Sequence, residues 1–165
     1  MACDAQETVV CVPIWLWIAL VLELRKRGQG RRESGAFLLG RSRAGKAKVT
    51  SYLCYDDIDP NAYSGGAITF HANGYAALWH YCREEKVEVL ADVHTHPGTD
   101  VRQSIIDQRH PMVPVAGHTA IILPNFAKTS WWSLMSIGVY EYLGDFRWRA
   151  HPQISGRRRV RLTLW

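Results

Sequence analysis

Long apolar runs are scarce in this sequence. The most apolar stretch, residues 9–22, is 14 residues long and is interrupted by Pro13, whereas a bilayer-spanning helix needs ~20. No membrane segment is therefore expected. The first eight residues carry Asp4 and Glu7 and no Lys or Arg, so a secretory leader with a positive start is not expected either. Cysteine is sparse too. Cys3, Cys11, Cys54 and Cys82 form no C-x-x-C pair, which argues against a thiolate zinc knuckle or a disulfide framework and for reduced thiols in the cytoplasm. A basic body is absent as well. The formal charge is +5, but residues 1–145 hold all 15 acids and 14 of the 20 Lys and Arg, while six arginines follow Asp145. Positive charge thus belongs to the tail, and a nucleic-acid partner is not expected. The three aspartates of residues 56–66 lack the D-x-D-x-D-G spacing of a calcium loop, so this turn-rich segment is expected to be a flexible, solvated loop. Internal repeats and low-complexity segments are also missing.

What is present is an ordinary folded composition, 47% hydrophobic and 21% charged over 165 residues, enough for one domain spanning 1–165. A short strand from Val9 to Val12 leads into a helix with Pro13 at its first position, where the missing N–H costs nothing. Arg25, Lys26 and Arg27 suit that helix's C-terminus and Gly28 its stop. The helix is apolar on every side, so core burial of Trp15 and Trp17 is expected. Strands follow over 31–43 and 47–55, then a short one over Ala67–Phe70. A helix over 72–86 is marked by Tyr75, Leu78, Trp79 and Cys82 at helical spacing, with His71, His80 and Tyr81 given no special part. Val87–Val93 and His118–Leu123 are strongly apolar strands. Ser133–Leu143 and Phe146–Arg149 pair over Gly144-Asp145. Arg157–Trp165 alternates Arg with apolar residues, as a half-buried edge strand does. This order of elements predicts an α+β fold, a curved, mostly antiparallel or mixed sheet flanked by helices.

The chemistry is concentrated in residues 91–107, A-D-V-H-T-H-P-G-T-D-V-R-Q-S-I-I-D. On a strand His94 and His96 point to one face and Thr95 to the other. Pro97-Gly98 then ends the strand. Ser104 and Asp107, three apart, share a face if a helical turn begins near Ser104. Two imidazole nitrogens and a carboxylate oxygen are three ligands of a tetrahedral Zn²⁺ site whose fourth position stays open to water, the arrangement of catalytic rather than structural zinc. Asp100, His110 and His118 are nearby alternatives as ligands. Asp100 reads as a turn residue and His118 as a structural hydrogen-bonding group or cleft wall. Asp92 shares the face of His94 and could orient it.

His94-x-His96, seven residues, then Ser104-x-x-Asp107 resembles the JAMM signature of the JAB/MPN zinc metallopeptidases. Glu33, in R-R-E-S-G-A-F-L-L-G, looks like that family's upstream glutamate, and 117–127 is similar to the strand and turn that follow the motif in bacterial members. The resemblance implies the JAB/MPN, cytidine-deaminase-like fold. It also implies one Zn²⁺ on His94, His96 and Asp107, Glu33 as general base and Ser104 as oxyanion donor, in a hydrolysis of amide bonds without a covalent intermediate. It further implies a substrate, a ubiquitin-like protein and its conjugates. A compact chain of this kind is similar to the peptidases encoded beside E1-like and E2-like proteins in antiphage conjugation systems. The short loop after the motif leaves no room for a large insertion of the sort that selects one ubiquitin linkage. Other readings of the same motif are a JAMM hydrolase acting on a sulfur-carrier protein, a non-catalytic MPN scaffold and a DNA-associated relative of the RadC type.

Overall fold

In the computed structural model the described residues are 8–65, 67–128, 134–153 and 158–164. Cys3, Asp4, Glu7 and the expected strand ends Ser133, Arg157 and Trp165 lie outside them. The elements run β1 (Val9–Pro13), α1 (Ile14–Gly28), β2 (Gly35–Arg43), β3 (Lys46–Cys54), α2 (Tyr55–Ile58), α3 (Ala72–Glu85), β4 (Glu88–Thr95), α4 (Ile105–Arg109), β5 (Thr119–Leu123), β6 (Gly138–Gly144), β7 (Arg147–Ala150) and β8 (Val160–Thr163). All eight strands form one sheet in the order β7-β6-β5-β4-β2-β3-β1-β8. The pairs β2–β3, β2–β4, β5–β6 and β6–β7 are antiparallel, and β1–β3, β1–β8 and β4–β5 are parallel. The fold is α+β with a mixed sheet, as expected.

Strand β2 explains the layering. Its side chains alternate between two cores, because successive residues on a strand face opposite ways. Ala36 and Leu38 join Leu16, Trp17, Leu20, Val21 and Leu24 of α1 on one side. Phe37 and Leu39 join Tyr55, Leu78 and Cys82 on the other. A strand covered on both faces reads as a continuous apolar run, and A-F-L-L is one. Helix α1 departs from expectation on one point. Trp17 is buried, but Trp15 and Leu22 are exposed, so one stripe of the helix faces outward. Gly28 is its last helical residue, and Gln29 takes the left-handed turn (φ 51°).

Three further expectations are corrected. The 56–66 segment is organised rather than a flexible, solvated loop. Arg27 ties α1 to α2 by pairing with Glu23, Asp56 and Asp57. Asp59 is buried and accepts from the His71 backbone N–H at 2.7 Å, from His71 Nδ1 at 2.7 Å and from Asn61 N–H at 3.1 Å. Residues 67–70 are not a strand; Phe70 instead packs its ring against Phe37, Tyr55 and Tyr75, so aromatic burial overrides the β-propensity. The third correction is Arg159, which is buried rather than a solvated edge charge. Strands β8 and β6 stand near opposite ends of the sheet order, yet Arg159, just before β8, donates through Nε to Thr119 Oγ1 at 2.8 Å and through Nη2 to Gly117 O at 2.6 Å. Its Nη1 lies 3.3 Å from Glu141 Oε1 on β6. The sheet is therefore curled, and this guanidinium spans its two sides. The β6–β7 turn also sits one residue later than expected, with Asp145 and Phe146 both at positive φ (52° and 56°), the backbone of a two-residue I′ hairpin.

Candidate metal centre

Strand β4 delivers two imidazoles to the face carrying α3. His94 and His96 are buried, and Thr95 between them is buried on the opposite side. The chain after β4 is stitched to the end of β5: His96 N–H donates to Leu123 O, Phe126 N–H to His96 O and Asn125 N–H to Gly98 O. Eight residues on, Ser104 caps α4. Its Oγ accepts from Asp107 N–H at 3.1 Å, and Asp107 Oδ2 accepts from Ser104 N–H at 2.7 Å, a capping box. The S-x-x-D spacing thus has a local structural cause. It aims the Asp107 carboxylate at the histidines, and the Ser104 hydroxyl keeps its own proton to donate.

His94 Nε2 lies 3.3 Å from His96 Nε2 and 3.3 Å from Asp107 Oδ1, and His96 Nε2 lies 3.3 Å from Asp107 Oδ2. These separations test the site for zinc. Ligands about 2.0–2.1 Å from a tetrahedral ion stand roughly 3.3–3.4 Å apart; the two imidazole nitrogens have that spacing, and the Asp107 carboxylate turns Oδ1 toward His94 and Oδ2 toward His96, so two borderline nitrogens and a hard carboxylate face one another across the space of one ion. One ligand atom from each of the three side chains lies within 4.8 Å of the other two. Tautomers agree with this reading. His96 Nδ1 donates to Asp100 O at 3.1 Å, which leaves the lone pair on Nε2. In the chain without metal, burial works against a charged His94, but the neighbouring carboxylates of Asp107 and Asp92 outweigh it and raise its pKa to about 10. For Asp107 burial opposes ionisation, and the two histidines overcome it and hold the carboxyl far below the usual range.

A second layer stands behind His94. Asp92, on the same face of β4, is buried with Oδ2 3.9 Å from His94 Nδ1. His118 Nε2 donates to Asp92 Oδ1 at 2.7 Å, and Tyr55 OH donates to Oδ2 at 3.3 Å. His118 is therefore a structural hydrogen-bonding group and not in the ligand cluster. Asp100 contributes its backbone carbonyl, while its carboxylate pairs with Arg102 at 2.6 Å. His110 lines the cavity in front of the site. Tyr55 carried no sequence signal, since its role depends on α2 folding beneath β4.

Glu33 lies two residues before β2, not on it, and lines the same cavity as His94, Ser104 and Asp107. Its neighbours explain its placement. Ser34 is fully buried; its Oγ donates to Leu24 O of α1 at 2.8 Å and its N–H to Thr95 Oγ1 at 3.0 Å. Gly35 sits opposite His94 in the sheet register. It gives its N–H to Tyr63 OH at 3.0 Å and accepts that hydroxyl's proton on its carbonyl at 3.2 Å. Any side chain there would collide with the Tyr55 ring and the Val93 carbonyl. Burial raises the Glu33 carboxyl above its ordinary value, against the pull of the two imidazoles and with a push from Asp107.

Fold and site together define an α+β protein with a His–His–Asp candidate metal centre at the end of a central strand. Residues 17–136 match the model of the prokaryotic homologs of the JAB domain, and the chain belongs to that family. It is similar in fold to a solution structure of a protein from Desulfitobacterium hafniense, at 15% identity and a TM-score of 0.59, covering 94% of this chain and 95% of that one. A solution structure of a protein from Salinibacter ruber is similar at 17% identity and a TM-score of 0.57, covering 90% of this chain and 95% of that one. At these identities the likeness is one of fold. Among the described residues no helix is long and apolar enough to cross a membrane.

Proposed function

We propose that this chain is a zinc-dependent peptidase or isopeptidase acting at the C-terminal tail of a ubiquitin-like protein. It would mature the precursor, release conjugates, or both, in the cytoplasm and beside E1-like and E2-like proteins of bacterial antiphage defence. The observation that carries this reading is the convergence of two imidazole nitrogens 3.3 Å apart with a carboxylate that places one oxygen 3.3 Å from each, with Glu33 and Ser104 lining the same cavity. Zn²⁺ held by His94, His96 and Asp107 supplies, when bound, a positive charge that polarises the scissile carbonyl and makes water a nucleophile near neutral pH.

The chain's own groups do the rest. Glu33, in a cavity that raises its proton affinity, takes the proton of the attacking water and returns it to the leaving amine. Ser104, its Oγ already accepting from Asp107 N–H, turns its hydroxyl proton to the developing oxyanion, where one donor is worth about 3 kcal/mol. Asp92, backed by His118 and Tyr55, keeps the His94 ring in place. The tail enters extended, its main chain supplying affinity with little demand on sequence.

The test is incubation with ubiquitin-like fusions, with and without chelator, beside Glu33→Ala. Glu33→Ala keeps zinc and fold and loses cleavage. Undiminished turnover in that variant rejects Glu33 as the base. A wild-type chain that holds zinc and cuts no fusion is a scaffold instead.

A further inference from the structure

The cavity is lined by two unlike sets of side chains: Glu33, His94, Ser104 and Asp107, and the apolar Ile68, Ile106, Pro111, Met112 and Trp148. We propose that the apolar set forms a side-chain pocket for a bulky apolar residue flanking the scissile bond, so that the substrate is a peptide with Leu- or Phe-like bulk there. This rests on the peptidase reading and adds the substrate feature that reading leaves open.

Four observations converge on it. The whole cavity, the part before His94 and Asp107 included, measures about 220 Å³, below the ~300–1,000 Å³ of a pocket for a whole small molecule. Beside the reacting bond it has room for one side chain and not for a larger group. Secondly, Ile106 is 51% exposed and its neighbour Ile105 70% exposed, on the same short helix as Asp107. Apolar surface beside a reacting centre gains free energy when a substrate covers it. Thirdly, the walls are held in place before any substrate arrives. Trp148 Nε1 donates to Gln108 O at 3.1 Å, and its ring stacks edge-on to Tyr142 with centroids 4.9 Å apart. The Met112 carbonyl accepts from Tyr75 OH at 2.8 Å. Lastly, Trp148 stands on β7, so the β6–β7 hairpin supplies one wall of the cavity. A tail with only glycine at the scissile bond leaves the apolar wall wet and forgoes that burial.

The experiment uses fluorescent peptides of one sequence with Gly, Leu or Phe at either position flanking the central bond. Binding is measured by anisotropy with zinc-loaded Glu33→Gln, and cleavage with the wild-type chain. At one of the two positions Leu and Phe peptides bind at least about tenfold tighter than Gly and are cut with a correspondingly higher kcat/KM. Adding Trp148→Ala or Met112→Ala shrinks this preference to about twofold or less, while Trp148→Phe, which keeps a ring, retains most of it. Equal binding of Gly and Phe peptides overturns the pocket, as does a preference that survives both alanine variants. Selective binding without wild-type cleavage upholds the pocket and removes the peptidase reading; cleavage without selectivity does the reverse.

Discussion

Ser34 and Thr95 hold each other twice: Ser34 N–H donates to Thr95 Oγ1 at 3.0 Å, and Thr95 N–H donates to Ser34 O at 2.9 Å. Both residues are fully buried. Thr95 stands between His94 and His96 with its side chain on the far face of β4, and Ser34 follows Glu33. The pair ties the Glu33 segment to the strand of the two histidines from behind the candidate site. Thr95→Val keeps shape but strands a buried N–H, at a cost of about 1–3 kcal/mol. Zinc content stays at the wild-type level while turnover falls, because Glu33 loses its anchor. Denaturant unfolding, metal analysis and a peptidase assay read the three effects separately. Full activity at reduced stability would show that Glu33 is held by other contacts.

Zinc affinity should rise with pH. The imidazole of His94 carries a pKa raised to about 10 in the chain without metal, so at pH 7 it is protonated and an incoming ion must displace that proton. Each unit of pH lost between 8 and 6 therefore weakens binding by about tenfold per proton displaced, and the dependence flattens above pH 10. Calorimetry in two buffers of different ionisation heat gives the proton count. A count of zero at pH 7 would mean that His94 is already neutral.

Asp107→Asn acts on the same balance from the other side. It removes the charged oxygen ligand and the partner that overcomes burial to keep His94 and His96 charged. The variant folds but holds zinc at least 10-fold more weakly, on the scale of losses seen when a metal site's supporting carboxylates are removed. Wild-type zinc occupancy in Asp107→Asn would reject the ligand set.

Asp59 is a stability determinant remote from the ligands. Hydrogen bonds from His71 and Asn61 outweigh its burial and depress its carboxyl below the ordinary value. A depressed acid contributes stability that is complete above its unfolded pKa, about 3.9, and is lost as pH falls through the folded value. Asp59→Ala therefore costs about 2–3 kcal/mol at pH 7, and the gap between variant and wild type narrows as pH falls through that depressed folded value. Urea unfolding at pH 7 and across the acid range measures both.

Arg159→Ala leaves Glu141 short of a buried partner and Thr119 and Gly117 without their donor. A loss of about 3–5 kcal/mol is expected. Arg159→Lys recovers only part of it, since an ammonium cannot reach three acceptors as a planar fork does. Thermal unfolding ranks the three chains.

The gathering of His94, His96 and Asp107 was legible because its geometry is local. Alternation along one strand places His94 with His96, and a capping box places Asp107, both written within 14 consecutive residues. Glu33 was legible only through family resemblance. Its placement depends on the bonds of Ser34 and Gly35 to Thr95 and Tyr63, which are distant in sequence, and R-R-E-S-G by itself reads as a solvated strand entrance. The same distance hid Asp59, whose partner His71 is 12 residues away, and Arg159, whose burial exists only because the sheet curls. Trp148 was visible as a strand residue, but nothing in a hairpin's own pattern says that it will lean across to α4.

The curl has a consequence for synthesis. Strand β1 precedes the other described strands, and among the described residues its outer flank pairs with β8, the last of them in sequence. A ribosome that has not yet released residues 158–163 carries a nascent domain with one flank of β1 open and Glu141 still waiting for its guanidinium. Closure of that flank thus follows the synthesis of every other described strand, and until it happens the growing chain presents an unpaired strand beside an apolar helix, the kind of surface that holding chaperones bind.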